Sequence, residues 1–355
     1  MQDAPPPIAV PDGPASAARA GLRYVSDDEP GLTRRRRGKG FSYHRPDGST
    51  VGGEDRARCA ALVIPPAWTE VWICATPDGH LQATGRDAKG RKQYRYHDDW
   101  LHVRQMVKYQ RLQAFGRALP ALREQVEAAL RKRGLPREKV LAAVVAVMDR
   151  TLLRVGNAEY ARDNDSYGLT TLRSDHVEVH GAEVAFRFRG KSGKTQDVSL
   201  KDRRIAKIVR ACQELRGQEL FGYLDDDDEP RDVRSEDVNG WLHDTTGQPF
   251  TAKDFRTWGG SVRCFRLLRE AGAIDDERAR KKAVTAAIKC VAARLGNTAA
   301  VCRSYYVHPV VLSAFDSGSL FEVDLDHTEV DGLGASEQGL LWLLAELEAA
   351  ETLAG

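Results

Sequence analysis

The hydrophobic pattern of this chain changes near residue 97, and the change divides the chain into two parts of different structural type. Before residue 97, short apolar stretches such as AALVIPPAWTEVWICAT are separated by turn sequences, among them PDG at 46–48 and at 77–79, which is typical of β strands. After it, apolar residues follow helical spacing, as in REKVLAAVVAVMDRTLLRVGN. We therefore predict an α+β protein with a small β-rich domain at residues 21–97 and a larger, mostly helical domain at residues 98–355, since 355 residues suffice for two domains.

Several classes of protein are excluded by composition. Residues 1–20 have prolines and acids but no basic stretch followed by an apolar one, so we predict a disordered lead-in and no signal peptide. No run approaches the ~18 apolar residues that a membrane helix requires. The six cysteines are scattered without a CxxC pair, which argues against a zinc site or disulfide framework and fits free thiols in the cytoplasm. Without a GxxxxGK[ST] motif, nothing indicates ATP, and we expect no cofactor and no metal.

The net charge of +2 conceals two strongly charged segments. Arg34, Arg35, Arg36 and Arg37 form a basic run, which either keeps the protein soluble or contacts phosphates. Residues 225–229 are DDDDE, and we interpret them as a solvated loop. Local basic patches bind polyanions even where the net charge is small.

One β region interrupts the helical part. In HVEVHGAEVAFRFRGKSGKTQDVSL, apolar residues alternate along three short segments joined by glycine-containing turns, which predicts a three-stranded sheet. Lys191 lies at the turn between the second and third strands, with Gly190 and Gly193 on either side. It is either a solvated hairpin residue or a mobile lysine that can approach a ligand.

Four further segments carry candidate functional residues, each of them weak by itself. Arg154 follows an apolar helix and could simply interact with the helix dipole. Lys253 and Arg256 are three apart and share a helix face, a common pattern. Asn297 follows a helix-terminating glycine and could be a turn residue, while Tyr306 could be an ordinary helix residue before a proline.

Together these residues are distinctive. In this order and spacing they resemble the catalytic set of type IB DNA topoisomerases of the short bacterial and poxvirus-like form: Arg154, Lys191, Lys253, Arg256, Asn297 and Tyr306. The blocks RRRRGKGFSYHRPDG, IPPAWTEVWIC, GRDAKGRKQYRYH, RVGNAEYARDNDSYGLTTL and YYVHP also resemble that family, over roughly residues 22–312. The resemblance implies the catalytic fold that this family shares with tyrosine recombinases. Viral and eukaryotic members usually have histidine where Asn297 stands, and an amide still donates a hydrogen bond but carries no charge.

The resemblance also implies a reaction. It places the nucleophile directly before the VHP stretch, hence at Tyr306, whereas Tyr305 would point about 100° away around a helix. The tyrosine would cleave one strand of supercoiled DNA, hold it as a 3′-phosphotyrosine while the free end swivels, and reseal it.

The other members of the set then have distinct roles. Arg154 and Arg256 suit the charge that develops on the phosphate oxygens, and Asn297 adds a neutral donor. Lys191 would protonate the departing 5′ oxygen, aided by Lys253.

Duplex DNA is the partner that this reaction requires. By resemblance, KGRKQYRYH is the part of the N-terminal domain that reads the major groove, with basic residues for phosphates and Gln and Tyr for base edges. Its candidate residues are Lys89, Arg91, Lys92, Gln93, Tyr94 and Tyr96. The alternative is an amphipathic edge strand with a solvated basic face. We expect a monomer whose two domains clamp the duplex.

Two other functions remain open from the residues. A tyrosine site-specific recombinase shares the arginine, lysine and tyrosine chemistry, but usually has His-x-x-Arg where this chain has Lys253 and Arg256, and usually a helical N-terminal domain. A non-catalytic DNA-binding protein needs the basic residues but not Tyr306.

Overall fold

A computed structural model describes residues 13–215, 217–325 and 330–354. Their packing divides them into two units, residues 13–110 and residues 111–354. The sequence placed a boundary at residue 97, where the pattern changes. A helix does begin at Asp98, but the division in packing falls further along, inside that helix. Residues 13–19 form a short helix, α1 (Gly13–Arg19), where the sequence predicted a disordered lead-in, and residues 1–12 lie outside the described residues.

The first unit is built on a five-stranded antiparallel sheet with strand order β2-β1-β3-β4-β5. Its strands are β1 (Leu32–Arg37), β2 (Gly40–His44), β3 (Thr69–Ile73), β4 (Leu81–Arg86) and β5 (Lys92–Tyr96). Helix α2 (Gly53–Ala61) contributes Cys59 to a core with Leu32, Ile73 and Ala83. The predicted fold class, with a small β-rich region at the N-terminal side, is therefore confirmed.

The second unit is mainly helical, and one of its helices is central. All nine residues from Val140 to Met148 are buried, because this helix is apolar on every side. The helices are α3 (Asp98–Leu130), which the two units share, α4 (Arg137–Thr151), α5 (Ala158–Asn164), α6 (Arg203–Gln213), α7 (Ser235–Thr246), α8 (Ala252–Ala271), α9 (Glu277–Leu295), α10 (Ala299–Tyr305), α11 (Pro309–Ser317) and α12 (Ala335–Ala354). None of the helices in the described part of the chain is long and apolar enough to cross a bilayer.

The predicted three-stranded sheet is present in this unit. Strands β6 (Val177–His180), β7 (Glu183–Arg189) and β8 (Thr195–Lys201) pair antiparallel in that order. Val184, Phe186 and Phe188 are buried while the residues between them are more exposed, as the alternation in sequence requires. The acidic run 225–229 forms the turn between two short strands, β9 (Gly222–Leu224) and β10 (Pro230–Asp232), and is exposed except at Asp225, which is half-buried.

Candidate active site

Helix α8 carries two of the predicted basic residues in its first two turns. Thr251 caps the helix, and its N–H donates to the Asp254 carboxylate at 2.7 Å. Lys253 is exposed, whereas Arg256 is only 4% exposed. The Arg256 guanidinium donates to the carbonyl of Leu152 and, over 2.8 Å, to the carbonyl of Leu295. These two carbonyls fix the charged group in one place.

The YVHP sequence fixes the backbone of Tyr306, which follows the last residue of α10. The Tyr306 carbonyl lies so close to α8 that a Cβ on Gly260 would be 2.5 Å from it. Ser261 Oγ accepts the His308 N–H at 2.9 Å. The imidazole of His308 in turn caps α11 by accepting from Val310 N at 3.0 Å, and Pro309 begins that helix, where proline is favoured.

The two neighbouring tyrosines differ in environment. Tyr306 is half-buried, and the Arg256 Cζ lies 5.1 Å from the centroid of its ring. Tyr305 is 48% exposed. Burial raises the pKa of the Tyr306 phenol, but the charge and hydrogen bond of Arg256, with the charges of Arg154 and Lys253, outweigh burial and hold the pKa below its usual value. A lowered pKa makes a phenol a better nucleophile near neutral pH.

Arg154 meets Asn297 across the site. Helix α4 ends at Thr151. The next residue, Leu152, adopts a left-handed conformation with φ of 62°, and the chain then turns toward the active site. The Arg154 Nη2 donates to Asn297 Oδ1 at 2.5 Å. Asn297 follows Gly296, which ends α9 with φ of 61°, as the sequence predicted. The Asn297 Nδ2 is buried and has no hydrogen-bond acceptor among the described residues.

The site concentrates positive charge without neutralising it. Burial lowers the pKa of Arg154, and burial together with the charge of Arg154 lowers the pKa of Arg256 to about 10, so both remain charged at neutral pH. No carboxylate of the described residues forms an ion pair with either one. The Arg256 Nε is also buried, and no acceptor for it is found in the described parts of the chain. Two charges and two unused donors at one place are suited to an anion.

These side chains surround a cavity of about 310 Å³. Five of the six predicted catalytic residues line it: Arg154, Lys191, Lys253, Arg256 and Tyr306. Asn297 does not line it but binds Arg154. Residues from five separate stretches of sequence, brought together by α4, α8, α9, α10 and the β7–β8 turn, thus form one site.

Comparison with known families decides what kind of site this is. Residues 91–318, well over half of the chain, match the family described as "Eukaryotic DNA topoisomerase I, catalytic core". Residues 40–87 match the "Bacterial DNA topoisomerase IB, N-terminal domain". The chain belongs to the type IB DNA topoisomerase family. The topoisomerase therefore relaxes supercoiled DNA by transient cleavage of one strand, and enzymes of this type need neither ATP nor a metal ion.

Viral relatives agree with this assignment. The topoisomerase is 30% identical over 305 residues to DNA topoisomerase 1B of Acanthamoeba polyphaga mimivirus, a match that covers 83% of this chain and 90% of the viral one. It is 22% identical over 246 residues to DNA topoisomerase 1B of Vaccinia virus, covering 67% and 74%. DNA topoisomerase I of Monkeypox virus gives the same identity and coverage. The recombinase and plain DNA-binding alternatives are not favoured.

Sequence reasoning missed two groups of residues at the site of the topoisomerase. Lys194 Nζ donates to the Asn297 carbonyl at 2.7 Å and so links the β7–β8 turn to the segment before α10. The sequence has two lysines in GKSGK, but nothing in it says which one faces Asn297. Asn157, Ser166 and Tyr167 also line the cavity, and only their place in the block RVGNAEYARDNDSYGLTTL indicated a functional position.

The predicted groove-reading residues lie on or beside β5, at the edge of the first unit's sheet. Tyr94 and Tyr96 are 47% and 37% exposed, with rings stacked at 6.0 Å. Lys92 pairs with Asp27 at 2.6 Å. Arg91 pairs with Asp87 at 2.6 Å.

Two further predicted residues of this segment also meet Asp87. The Gln93 side chain donates to the Asp87 carboxylate at 3.0 Å, and the backbone N–H of Lys89 donates to it at 2.9 Å. The Lys89 side chain is exposed. Asp87 therefore organises the turn before β5.

The basic run divides into one structural residue and three exposed ones. The Arg34 guanidinium donates to the carbonyls of Ile64, Pro65 and Trp68 at 2.8–3.0 Å and stacks on Phe41 at 4.1 Å. The Arg34 guanidinium is thus occupied by contacts within the first unit, so the two predicted roles, solubility or a phosphate contact, do not describe it. The other three are exposed: Arg35, Arg36 and Arg37.

Proposed function

We propose that Tyr306 is the nucleophile of this topoisomerase and that Arg154, Arg256, Asn297, Lys191 and Lys253 assist it. The phenolic oxygen attacks a backbone phosphorus, and the bond from phosphorus to the 5′ oxygen breaks. The phosphate becomes attached to the tyrosine through its 3′ side. Religation is the reverse attack by the 5′ hydroxyl, and the tyrosyl linkage conserves the bond energy between the two steps.

The observation that carries this assignment is the unneutralised charge around Tyr306. Arg154 and Arg256 have no carboxylate partner among the described residues, and Arg256 Nε and Asn297 Nδ2 have no acceptor. A phosphate in the cavity would supply both the missing charge and the missing acceptors. Fixed donors of this kind typically contribute ~10²–10³ each to the rate, because they need no reorganisation as charge develops.

The two lysines fit a different role. Lys191 and Lys253 are exposed and line the same cavity. A lysine there can give its proton to the departing 5′ oxygen, and such general acid help is worth ~10²–10⁴ in rate. We assign the proton donation mainly to Lys191, which lies on the β7–β8 turn, and a supporting role to Lys253, whose charge also lowers the pKa of Tyr306.

DNA binding by the first unit is part of the same proposal. Exposed Tyr94 and Tyr96 on β5 can reach base edges in the major groove, while Lys89, Arg91 and Lys92 and the run from Arg35 to Arg37 can contact phosphates. Gln93 would support base contacts when DNA releases it from Asp87. We infer a monomer that clamps duplex DNA of the nucleoid between its units.

The sharpest test uses the tyrosine pair. Tyr306→Phe and its matched control Tyr305→Phe are incubated with negatively supercoiled plasmid in EDTA without ATP, and with a duplex carrying a 5′ label on the cleaved strand. Loss of the nucleophile should abolish relaxation and the denaturant-resistant protein–DNA adduct while leaving DNA binding intact. Tyr305→Phe should retain both activities, because its ring is on the exposed side of α10.

The label reports the polarity of the linkage. Attachment through a 3′ phosphate leaves the 5′-labelled fragment on the protein and releases a fragment with a 5′ hydroxyl that polynucleotide kinase can label. An adduct that persists in Tyr306→Phe and disappears in Tyr305→Phe would reverse the assignment.

A further inference from the structure

A second basic cavity lies beside the active site of the same unit and shares no lining residue with it. It has a volume of about 410 Å³ and is bounded by α8, α9, the end of α4, one residue of α3 and the start of α12. Leu152 separates the two cavities: its carbonyl binds Arg256, and its side chain packs on Gly259. Five arginines line this second cavity against two carboxylates: Arg123, Arg150, Arg263, Arg266 and Arg294, with Asp149 and Glu337.

Most of this charge is already neutralised locally. Arg123 binds both carboxylates of the cavity, Asp149 at 2.8 Å and Glu337 at 2.9 Å. Outside the cavity, Arg150 pairs with Asp202 at 2.6 Å and Arg266 pairs with Glu270 at 3.6 Å. Since these three arginines have carboxylate partners, structural or surface ion pairs account for their presence, and they need no bound anion.

Arg263 and Arg294 are different, because no carboxylate of the described residues pairs with either. Among the described residues, Arg263 donates only to the Cys290 sulfur at 3.6 Å, and no acceptor is found there for its buried Nε. Arg294 donates to the Arg150 carbonyl at 3.1 Å. Burial, and then the positive charge of Arg263, lower the pKa of Arg294, so the two guanidinium charges repel each other. A buried donor without an acceptor commonly indicates a missing ion or water.

The start of α12 adds further donors to the same cavity. Gly334, Ala335 and Ser336 line it. The Gly334 N–H already donates to the Glu337 carboxylate at 3.0 Å, and the first N–H groups of a helix have no backbone partner within the helix. In the described part of the chain, no acceptor is found for the N–H of Ala335 or Ser336. The positive end of a 20-residue helix favours an anion.

The geometry points to a binding site for a small phosphate anion that carries two or more negative charges, such as a phosphate monoester or pyrophosphate, held by Arg263, Arg294 and the first turn of α12. Two unpaired guanidinium groups match a dianion, and their planar forks suit phosphate oxygens. A phosphodiester of DNA carries one charge and is held within a wide duplex, so it fits this recess between helices less well than a free anion does.

Titration of the full-length protein with inorganic pyrophosphate, followed by calorimetry and by thermal unfolding, tests the site. We expect saturable binding of one anion and a rise in Tm. Arg263→Met and Arg294→Met should each weaken binding at least tenfold, and Arg294→Lys, which keeps the charge but loses the fork, should weaken it less. Arg278→Met, at an exposed position of α9, removes one charge elsewhere on the same helix and should leave the affinity unchanged.

The same titration with duplex DNA present distinguishes this anion from backbone phosphate. Binding of pyrophosphate to a Tyr306→Phe protein saturated with duplex should persist. The inference is overturned if pyrophosphate shows no saturable binding, or if Arg278→Met weakens that binding as much as Arg263→Met does. It is also overturned if duplex DNA displaces pyrophosphate and Arg263→Met weakens the binding of duplex as much as it weakens the binding of pyrophosphate. Should the methionine variants unfold, Arg294→Lys is compared with the control Arg278→Met: weaker binding of pyrophosphate by Arg294→Lys alone supports the site, and equal affinities overturn it.

Discussion

The catalytic cavity has an arginine side, formed by Arg154 and Arg256, and a lysine side, formed by Lys191 and Lys253. The arginine side is buried and fixed, whereas the lysine side is exposed. Arg256 is 4% exposed and is held by two backbone carbonyls, that of Leu152 just after α4 and that of Leu295 at the end of α9. Lys191 is exposed on a three-residue turn in which Ser192 has φ of 64°, a conformation that costs a non-glycine residue about 1 kcal/mol. Arg154 resembles Arg256, since its partner Asn297 fixes it at 2.5 Å.

The difference matches what each side has to do. Charge develops at one place on the phosphate, and a fixed donor stabilises it without reorganisation. A proton donor must approach the leaving oxygen and later retrieve the proton, and an exposed turn between two glycines allows that movement. We therefore expect changes on the arginine side to affect both stability and chemistry, and changes on the lysine side to affect chemistry alone.

Arg256→Met should produce the largest effect. It removes a fixed donor and raises the pKa of Tyr306, and we expect cleavage to slow by at least about 10³-fold. It also leaves the buried carbonyls of Leu152 and Leu295 without their donor, at a cost of about 1–3 kcal/mol for each unsatisfied group. Single-turnover cleavage and thermal unfolding measure the two effects, and an unchanged Tm would contradict the structural role.

Lys191→Met should slow cleavage by about 10²-fold, near the lower end for loss of a general acid because Lys253 remains. Its Tm should not change, because the side chain is exposed. A substrate with sulfur in place of the departing 5′ oxygen needs no proton, so it should restore the variant to nearly the wild-type rate. If the sulfur-substituted substrate restores the rate of Arg256→Met as fully as that of Lys191→Met, the contrast between the two sides is wrong.

Lys253→Met should shift the pH profile of cleavage. Lys253 helps to lower the pKa of Tyr306, so its removal raises that pKa and moves the rising limb of the rate to higher pH. The sulfur-substituted substrate removes any contribution of Lys253 to proton donation. Lys201→Met, at the opposite end of β8 from the turn, serves as the control, and an equal shift there would refute the local effect.

Lys194→Met should have the smallest effect. It removes the bond at 2.7 Å between the β7–β8 turn and the Asn297 carbonyl, and a hydrogen bond from an exposed charge contributes about 0.5–1.5 kcal/mol. We expect cleavage to slow by only a few-fold, with recovery in Lys194→Arg. A loss as large as that of Lys191→Met would mean that the two lysines had been assigned in the wrong order.

Local sequence was sufficient where a feature depends on neighbours along the chain. The alternation of Val184, Phe186 and Phe188 predicted a strand, and the glycines at 190 and 193 predicted the turn that carries Lys191. Gly296 predicted the end of a helix before Asn297. Each of these follows from backbone propensity and periodicity within a few residues.

Contacts between residues far apart in the chain could not be predicted from local sequence. Arg34 appears in the sequence as one of four equivalent arginines, yet carbonyls about thirty positions away bind it. The pairing of Arg154 with Asn297 joins residues 143 positions apart. The unpaired Arg263 and Arg294 are recognisable only once the carboxylates around them are known to pair with other arginines.

The sequence by itself determined the kinds of chemical group available, their order, and the helices and strands that carry them, because these depend on residue type and on spacing along the chain. The tertiary structure decided which groups meet. Burial separates Tyr306 from its exposed neighbour Tyr305 and fixes Arg256 between two carbonyls, where no carboxylate of the described residues neutralises its charge. Burial and proximity are properties of the packed chain, and they turn a set of common residues into one reactive site.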